Sequence, residues 1–117
     1  MGRGEVRVGS VPETIYAEAT AVGAAGVAVV RVSGPRASFV LEVLSGRTLE
    51  PRRATRVDLR GERDGCLLDT ALALWFPKPK SFTGEDTVEF HLHGGRAVVT
   101  AVMAEVGGIS GLRVAEP

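Results

Sequence analysis

A chain of 117 residues, 44% hydrophobic and 24% charged, is one globular domain's worth of polypeptide, long enough to bury roughly two thirds of its unfolded surface around a single core. Fourteen Lys and Arg against fourteen Asp and Glu give zero net charge, so any nucleic-acid contact has to come from a local patch or from elsewhere, not from a basic excess. Cys66 is the single cysteine, which excludes an intrachain disulfide and fits a reducing, cytoplasmic setting; no apolar run approaches the ~20 residues of a membrane span, and the N-terminus lacks the apolar stretch of a secretory signal.

Residues 1–13 are rich in Gly and charge and read as a loose leader. From Thr14, the apolar side chains of Ile15, Ala17 and Ala19 recur at every second position, which predicts a strand. Residues 21–26 form a small-residue turn. Residues 27–33 are β-branched and predict a second strand. Gly34-Pro35 punctuates, and Pro35 suits the first turn of a helix, where its missing N–H costs nothing. Ala37, Val40, Leu41 and Leu44 then make one apolar stripe, and Gly46 stands at the C-cap position.

Residues 47–56 carry Arg47, Arg52, Arg53 and Arg56 around Pro51 and read as an exposed connection. Val57 and Leu59 predict a short half-buried strand, followed by a polar turn. Residues 67–76 are almost continuously apolar, which predicts a central strand covered on both faces. Residues 77–80, Pro-Lys-Pro-Lys, end it. After residues 81–95, Val98, Val99, Val102, Met103 and Val106 recur at helical spacing, and Gly107-Gly108 stop that helix. Leu112-Arg113-Val114 begins another extended piece. The order predicts a single α+β domain, a mixed β-sheet with helices packed on it.

The segment 81–95 is the densest in chemistry. From Thr87 to His93 it alternates, with Val88, Phe90 and Leu92 on one face and Glu89, His91 and His93 on the other. Three readings of that polar face stand side by side. Glu89 could be a solvated strand residue. It could accept amidine-like N–H groups of a ligand, or pair with Arg31. Glu89, His91 and His93 could together supply metal ligands, although no fourth is evident. Arg31 shares a strand face with Val27 and Val29, so it either snorkels to water from an edge or is held by a carboxylate or a planar polar ring. Gly94-Gly95 before a helix could receive an anion on backbone N–H groups, or be a plain turn. There is no G-x-x-x-x-G-K-[ST], hence no P-loop. Cys66 reads as a buried or loop thiol.

Several of these stretches resemble one family. Thr14-Ile15, then Gly26-Val27-Ala28-Val29-Val30-Arg31-Val32-Ser33-Gly34-Pro35, is similar to the opening of the tRNA modification GTPases of the TrmE (MnmE) family. So are Asp69, Ala73-Leu74-Trp75-Phe76-Pro77, the run Lys78-Pro79-Lys80-Ser81-Phe82-Thr83-Gly84-Glu85-Asp86, Glu89 and His93-Gly94-Gly95. Residues 111–117 resemble the segment before that family's G-E-F-T-like stretch. The resemblance covers residues 14–117. It implies an N-terminal domain that binds 5-formyltetrahydrofolate and forms a homodimer, with a fold similar to the folate-binding domain of aminomethyltransferases. It further implies that the helical and GTPase domains, and with them GTP, magnesium and potassium, lie outside this chain. A flavoprotein partner and tRNA modified at its wobble uridine belong to the same picture.

Carried over by position, the family's folate-contacting arginine matches Arg31 and its folate-contacting glutamate matches Glu89. A further contacting lysine lies beyond Pro117. The family's P-P-G-x-G-G turn appears here as Ala21-Val22-Gly23-Ala24-Ala25-Gly26, without the prolines and with one glycine fewer. A carboxylate and a guanidinium suit the N–H edge and the acceptor atoms of a pterin. The alternatives are a purely structural dimerisation module and a metal enzyme built on Glu89, His91 and His93.

Overall fold

The computed structural model describes residues 13–19, 26–81 and 84–115. The leader assigned to residues 1–13, Glu13 apart, and the turn at 21–26, Gly26 apart, lie outside them. Among the described residues six strands form one sheet: β1 Thr14–Glu18, β2 Ala28–Ser33, β3 Thr55–Arg60, β4 Leu67–Phe76, β5 Thr87–Leu92 and β6 Leu112–Val114. Their spatial order is β3-β4-β5-β2-β1-β6. Neighbours are antiparallel except β1 and β6, which run parallel. The sheet is mixed, and with two helices it makes the α+β domain expected from the pattern.

Both helices use their apolar stripe to cover one face of that sheet. Helix α1, Ala37–Ser45, buries Ala37, Val40, Leu41 and Leu44, the four positions the spacing predicts. Helix α2, Arg96–Gly107, buries Val99, Val102 and Val106. Beneath them lie Val30 and Val32 of β2, Val57 and Leu59 of β3, Ala71 and Ala73 of β4, and Val88, Phe90 and Leu92 of β5, in one continuous core. These strand residues share a face because each is in register with the next: Val30 with Phe90, Val32 with Val88, Phe90 with Ala73. Phe90 is the largest fully buried side chain.

Two glycines shape the start and end of α1. Gly46 ends the helix in the left-handed region (φ 70°), donating its N–H to the Glu42 carbonyl. Gly34, at φ 137°, lies so close to β1 that a Cβ there would stand 2.6 Å from the Thr14 Cα. That approach lets the buried Thr14 hydroxyl accept the Arg36 N–H at 2.8 Å, a cap supplied from a neighbouring strand.

Strand β4 corrects one expectation. It is paired on both sides, by β3 and β5, as a central strand should be. It is covered on one face only. Its burial alternates, and Leu67 and Leu72 are exposed. The continuous apolar run arises because Leu72, Leu74 and Phe76 occupy the face on which no helix lies among the described residues.

Candidate functional site

The uncovered face of the sheet holds the residues singled out by their chemistry. On β2 and β5 it is a ladder of registered pairs: Val29 opposite His91, Arg31 opposite Glu89, Ser33 opposite Thr87. Ala17 of β1 flanks Arg31 on one side, and Leu74 of β4 flanks Glu89 on the other. Arg31 is therefore on an inner strand, with no edge from which to snorkel. Instead its Nε and Nη2 both donate to Glu89 Oε2, at 3.0 and 2.9 Å. Glu89 Oε1 lies 3.1 Å from His91 Nε2. One carboxylate thus serves a guanidinium with one oxygen and an imidazole with the other. The group is half-buried, with Arg31 28% and Glu89 15% exposed, so its attraction is screened less than a surface pair's.

Beside Arg31 the face sinks into a hollow of about 190 Å³ between β1 and β2. Ile15, Ala17, Ala19 and Ala115 give it apolar walls, while Arg31 and Ser33 bring polar atoms to its rim. At the far end of the ladder Ser33 Oγ stands 3.4 Å from Thr87 Oγ1, both residues being buried. Thr87 Oγ1 also donates to the Glu85 carbonyl. Asp86 Oδ1 accepts the Lys78 N–H at 2.9 Å and the Asp86 carbonyl accepts the Gly34 N–H at 2.8 Å. Glu85 and Asp86 so act as turn and strand-entry residues that fix where β5 begins.

His93 does not join Glu89 and His91. Strand β5 ends at Leu92, one residue before the alternation read from the sequence would end. The His93 N–H donates to Asp69 Oδ2 at 2.8 Å, and its Nδ1 lies 3.4 Å from the Thr70 carbonyl, so His93 ties the turn before α2 to strand β4. Among the described residues no three His, Cys, Asp or Glu side chains converge as a metal site. The metal reading of Glu89, His91 and His93 fails on that geometry. Cys66 is an exposed thiol of the turn between β3 and β4, where hydrogen bonding to the Asp64 carboxylate raises its pKa.

A second paired site escaped sequence reasoning. Arg96, first residue of α2, makes a two-pronged contact with Glu18 at the end of β1, Nη1 to Oε1 at 2.8 Å and Nη2 to Oε2 at 2.9 Å. The hydrogen bond and the charge of Glu18 raise the Arg96 pKa further. The pair borders a cleft of about 280 Å³ that also includes Gly26, Ala28, Leu92 and Gly95. Glu18 and Arg96 are 78 residues apart, and neither sits in a pattern that marks it. Gly95, at φ 87°, is the N-cap of α2, and its carbonyl accepts the Val99 N–H at 3.1 Å.

No helix among the described residues is long and apolar enough to cross a membrane. Comparison with known proteins matches residues 14–117 to the family model described as the GTP-binding protein TrmE N-terminus. The chain is similar to the tRNA modification GTPase MnmE of Rhodospirillum rubrum, 54% identical over an alignment 116 positions long that covers 89% of this chain and 26% of the relative. It is 55% identical over 105 residues to that of Beijerinckia indica, covering 90% of this chain and 23% of the relative. It is 58% identical over 106 residues to that of Paramagnetospirillum magneticum, covering 90% and 24%. The chain spans about a quarter of the length of the curated relatives it matches. With the match running through β1, the Arg31–Glu89 ladder and both helices, the chain belongs to the TrmE N-terminal domain family.

Proposed function

We propose that this domain is the folate-binding and dimerising N-terminal part of a tRNA modification GTPase. Its uncovered sheet face receives the pterin of 5-formyltetrahydrofolate at Arg31 and Glu89. The observation that carries the reading is the direct pairing of those two side chains, on inner strands, beside an apolar hollow. Ring recognition needs an apolar seat with a few oriented polar groups, and the face offers that combination. Glu89 supplies acceptor lone pairs to ring N–H groups, and the Arg31 guanidinium supplies donors to ring acceptors. His91 holds the Glu89 carboxylate from its other oxygen and so fixes its plane.

The hollow, at about 190 Å³, falls below the ~300 Å³ at which pockets for drug-sized ligands begin. That supports a seat for the ring alone, with the rest of the folate met by another surface. A second copy of the domain provides one, in keeping with a homodimer. The fold and this use of it would parallel the folate-binding domain of aminomethyltransferases. In the whole protein, GTP with magnesium and potassium belongs to a further domain, the flavoprotein partner and tRNA are met by the full-length protein in the cytoplasm, and the one-carbon chemistry is the cofactor's own.

Calorimetric titration with 5-formyltetrahydrofolate tests the site. Saturable binding by the wild-type chain, weakened at least about tenfold in Arg31→Ala, is expected, since a charge-assisted donor pair contributes roughly 1.5–3 kcal/mol. Equal affinity of the variant and the wild type would remove Arg31 from the site. Sedimentation with and without folate then separates a ligand-responsive dimer from a purely structural one.

A further inference from the structure

The charge on this neutral chain is segregated by pairing. Arg31, Arg60, Arg96 and Arg113 each face a carboxylate within salt-bridge distance. Arg36 lies over the Phe39 ring, 4.3 Å from its centroid. Among the described residues, Arg63 of the β3–β4 turn and six further cations, Arg47, Arg52, Arg53, Arg56, Lys78 and Lys80, have no such acidic partner; the six are all exposed. The six come from two segments that the fold brings together at one corner of the sheet, where β3 begins and β4 ends. Pro51 bridges to Trp75, and the Arg52 N–H donates to the Trp75 carbonyl at 2.8 Å. Arg52 Nη2 donates to the Lys80 carbonyl at 2.8 Å, and Arg47 Nη1 to the Arg56 carbonyl at 3.3 Å.

The backbone at this corner is unusual. Arg52 is the one non-glycine residue at positive φ, 60°, among the described residues. A non-glycine side chain in that region persists only where its surroundings hold it, and such positions concentrate at functional surfaces. Here the hydrogen bonds of Arg52 hold the 47–56 connection against the loop after β4. The apolar residues of the two segments, Leu49 and Trp75, pack inward against the core. Among the described residues of these segments no large apolar side chain is left exposed to enter a bilayer. Glu50 is the acidic residue within the basic segments, and Glu85 and Asp86 stand at the neighbouring turn.

We infer that this corner is a docking surface for the phosphate backbone of structured RNA. Six cations without carboxylate partners, held on two cross-tied loops, provide the local patch that zero net charge otherwise denies the chain. The choice of RNA among polyanions rests on the function proposed above; the patch itself does not. Arg52 is the positioning residue. Arg47, Arg53, Arg56, Lys78 and Lys80 supply contacts whose affinity falls with salt.

Fluorescence anisotropy with a labelled tRNA, across a salt series, tests the inference. The probe set is the wild-type chain, the Arg53→Ala/Arg56→Ala/Lys78→Ala variant, and Arg63→Ala as a control for an unpaired arginine elsewhere. The triple variant is expected to bind about tenfold or more weakly, with a log–log salt slope shallower by about 2–3, since each lost phosphate contact removes about 0.9. Arg63→Ala should bind as the wild type does. Wild-type affinity in the triple variant, equal weakening in Arg63→Ala, or no binding of tRNA by the wild type would each overturn the proposal. So would binding to vesicles of phosphatidylcholine and phosphatidylserine in preference to tRNA. Calorimetry with 5-formyltetrahydrofolate on the same proteins keeps the two readings apart. A wild-type chain that binds folate but not tRNA defeats the docking surface alone, and a wild-type chain that binds tRNA but not folate defeats the folate site alone.

Discussion

Arg31 addresses a single oxygen of Glu89 through two of its nitrogens, while His91 stands at the other oxygen. Glu89→Gln keeps the shape and removes the charge that gathers both partners. Exposed ion pairs contribute about 0.2–1 kcal/mol and breaking a buried one costs about 3–5 kcal/mol. At 15% and 28% exposure this pair falls between those limits. Urea denaturation should show Glu89→Gln destabilised by about 1–2 kcal/mol, with an unchanged m-value. A loss below about 0.3 kcal/mol would mean that water already solvates both groups.

Phe90→Ala should be far more damaging. Phe90 is fully buried at the centre of the sheet, between Val30 of β2 and Ala73 of β4. Truncating a core Phe costs about 3–5 kcal/mol. Domain stabilities run at about 5–15 kcal/mol, so the variant should be marginally folded at best. Thermal melting by circular dichroism reads this directly, and a midpoint within a few degrees of wild type would show that the core collapses into the space.

Gly34→Ala combines two faults, a disfavoured φ of 137° and a methyl group 2.6 Å from the Thr14 Cα. The backbone alone should cost about 1–3 kcal/mol. The clash should also push β1 away and break the Arg36 N–H contact with Thr14. Amide exchange is the sensitive readout. Faster exchange at Arg36 and along β1, with β3 and β4 unaffected, is the expected pattern.

The β3–β4 turn gives a pH-dependent test. A backbone hydrogen bond from Cys66 lowers the Asp64 pKa, and hydrogen bonding to Asp64 raises that of the Cys66 thiol. The depressed carboxylate favours this turn above its unfolded pKa, and the preference fades as pH falls through the folded value. The raised thiol pKa means less thiolate at any neutral or mildly alkaline pH. Asp64→Asn should therefore speed alkylation of Cys66 by iodoacetamide near pH 8, and move the midpoint of its rate profile to lower pH. An unaltered profile would show that the two side chains do not interact.

Much of this molecule is legible in one dimension because its signals are local. The stripe of α1, its Gly46 cap, and the two-residue alternation of β3 and β5 each follow from neighbours a few positions away. Arg31 and Glu89 were visible as chemically odd strand residues, but their adjacency was not. It depends on β2 lying beside β5, although three other elements separate the two in the chain. The run 67–76 misled for a related reason. Apolar residues on an uncovered face look the same in sequence as residues under a second layer of helices. His93 was assigned to the wrong face because alternation gives no sign of where a strand stops, and Asp69 draws its backbone aside.

The parallel pairing of β1 with β6 sets Thr14 beside Leu112, the most sequence-distant register in the sheet. During synthesis β1 emerges first and can zip onto β2 almost at once, but its outer edge stays bare until the ribosome has delivered nearly all of the domain. Closing that edge demands a contact spanning almost the whole domain, and contacts of that kind slow folding. The three-residue strand β6 is thus a latch on β1, and a nascent chain stalled short of residue 112 would carry an open seam.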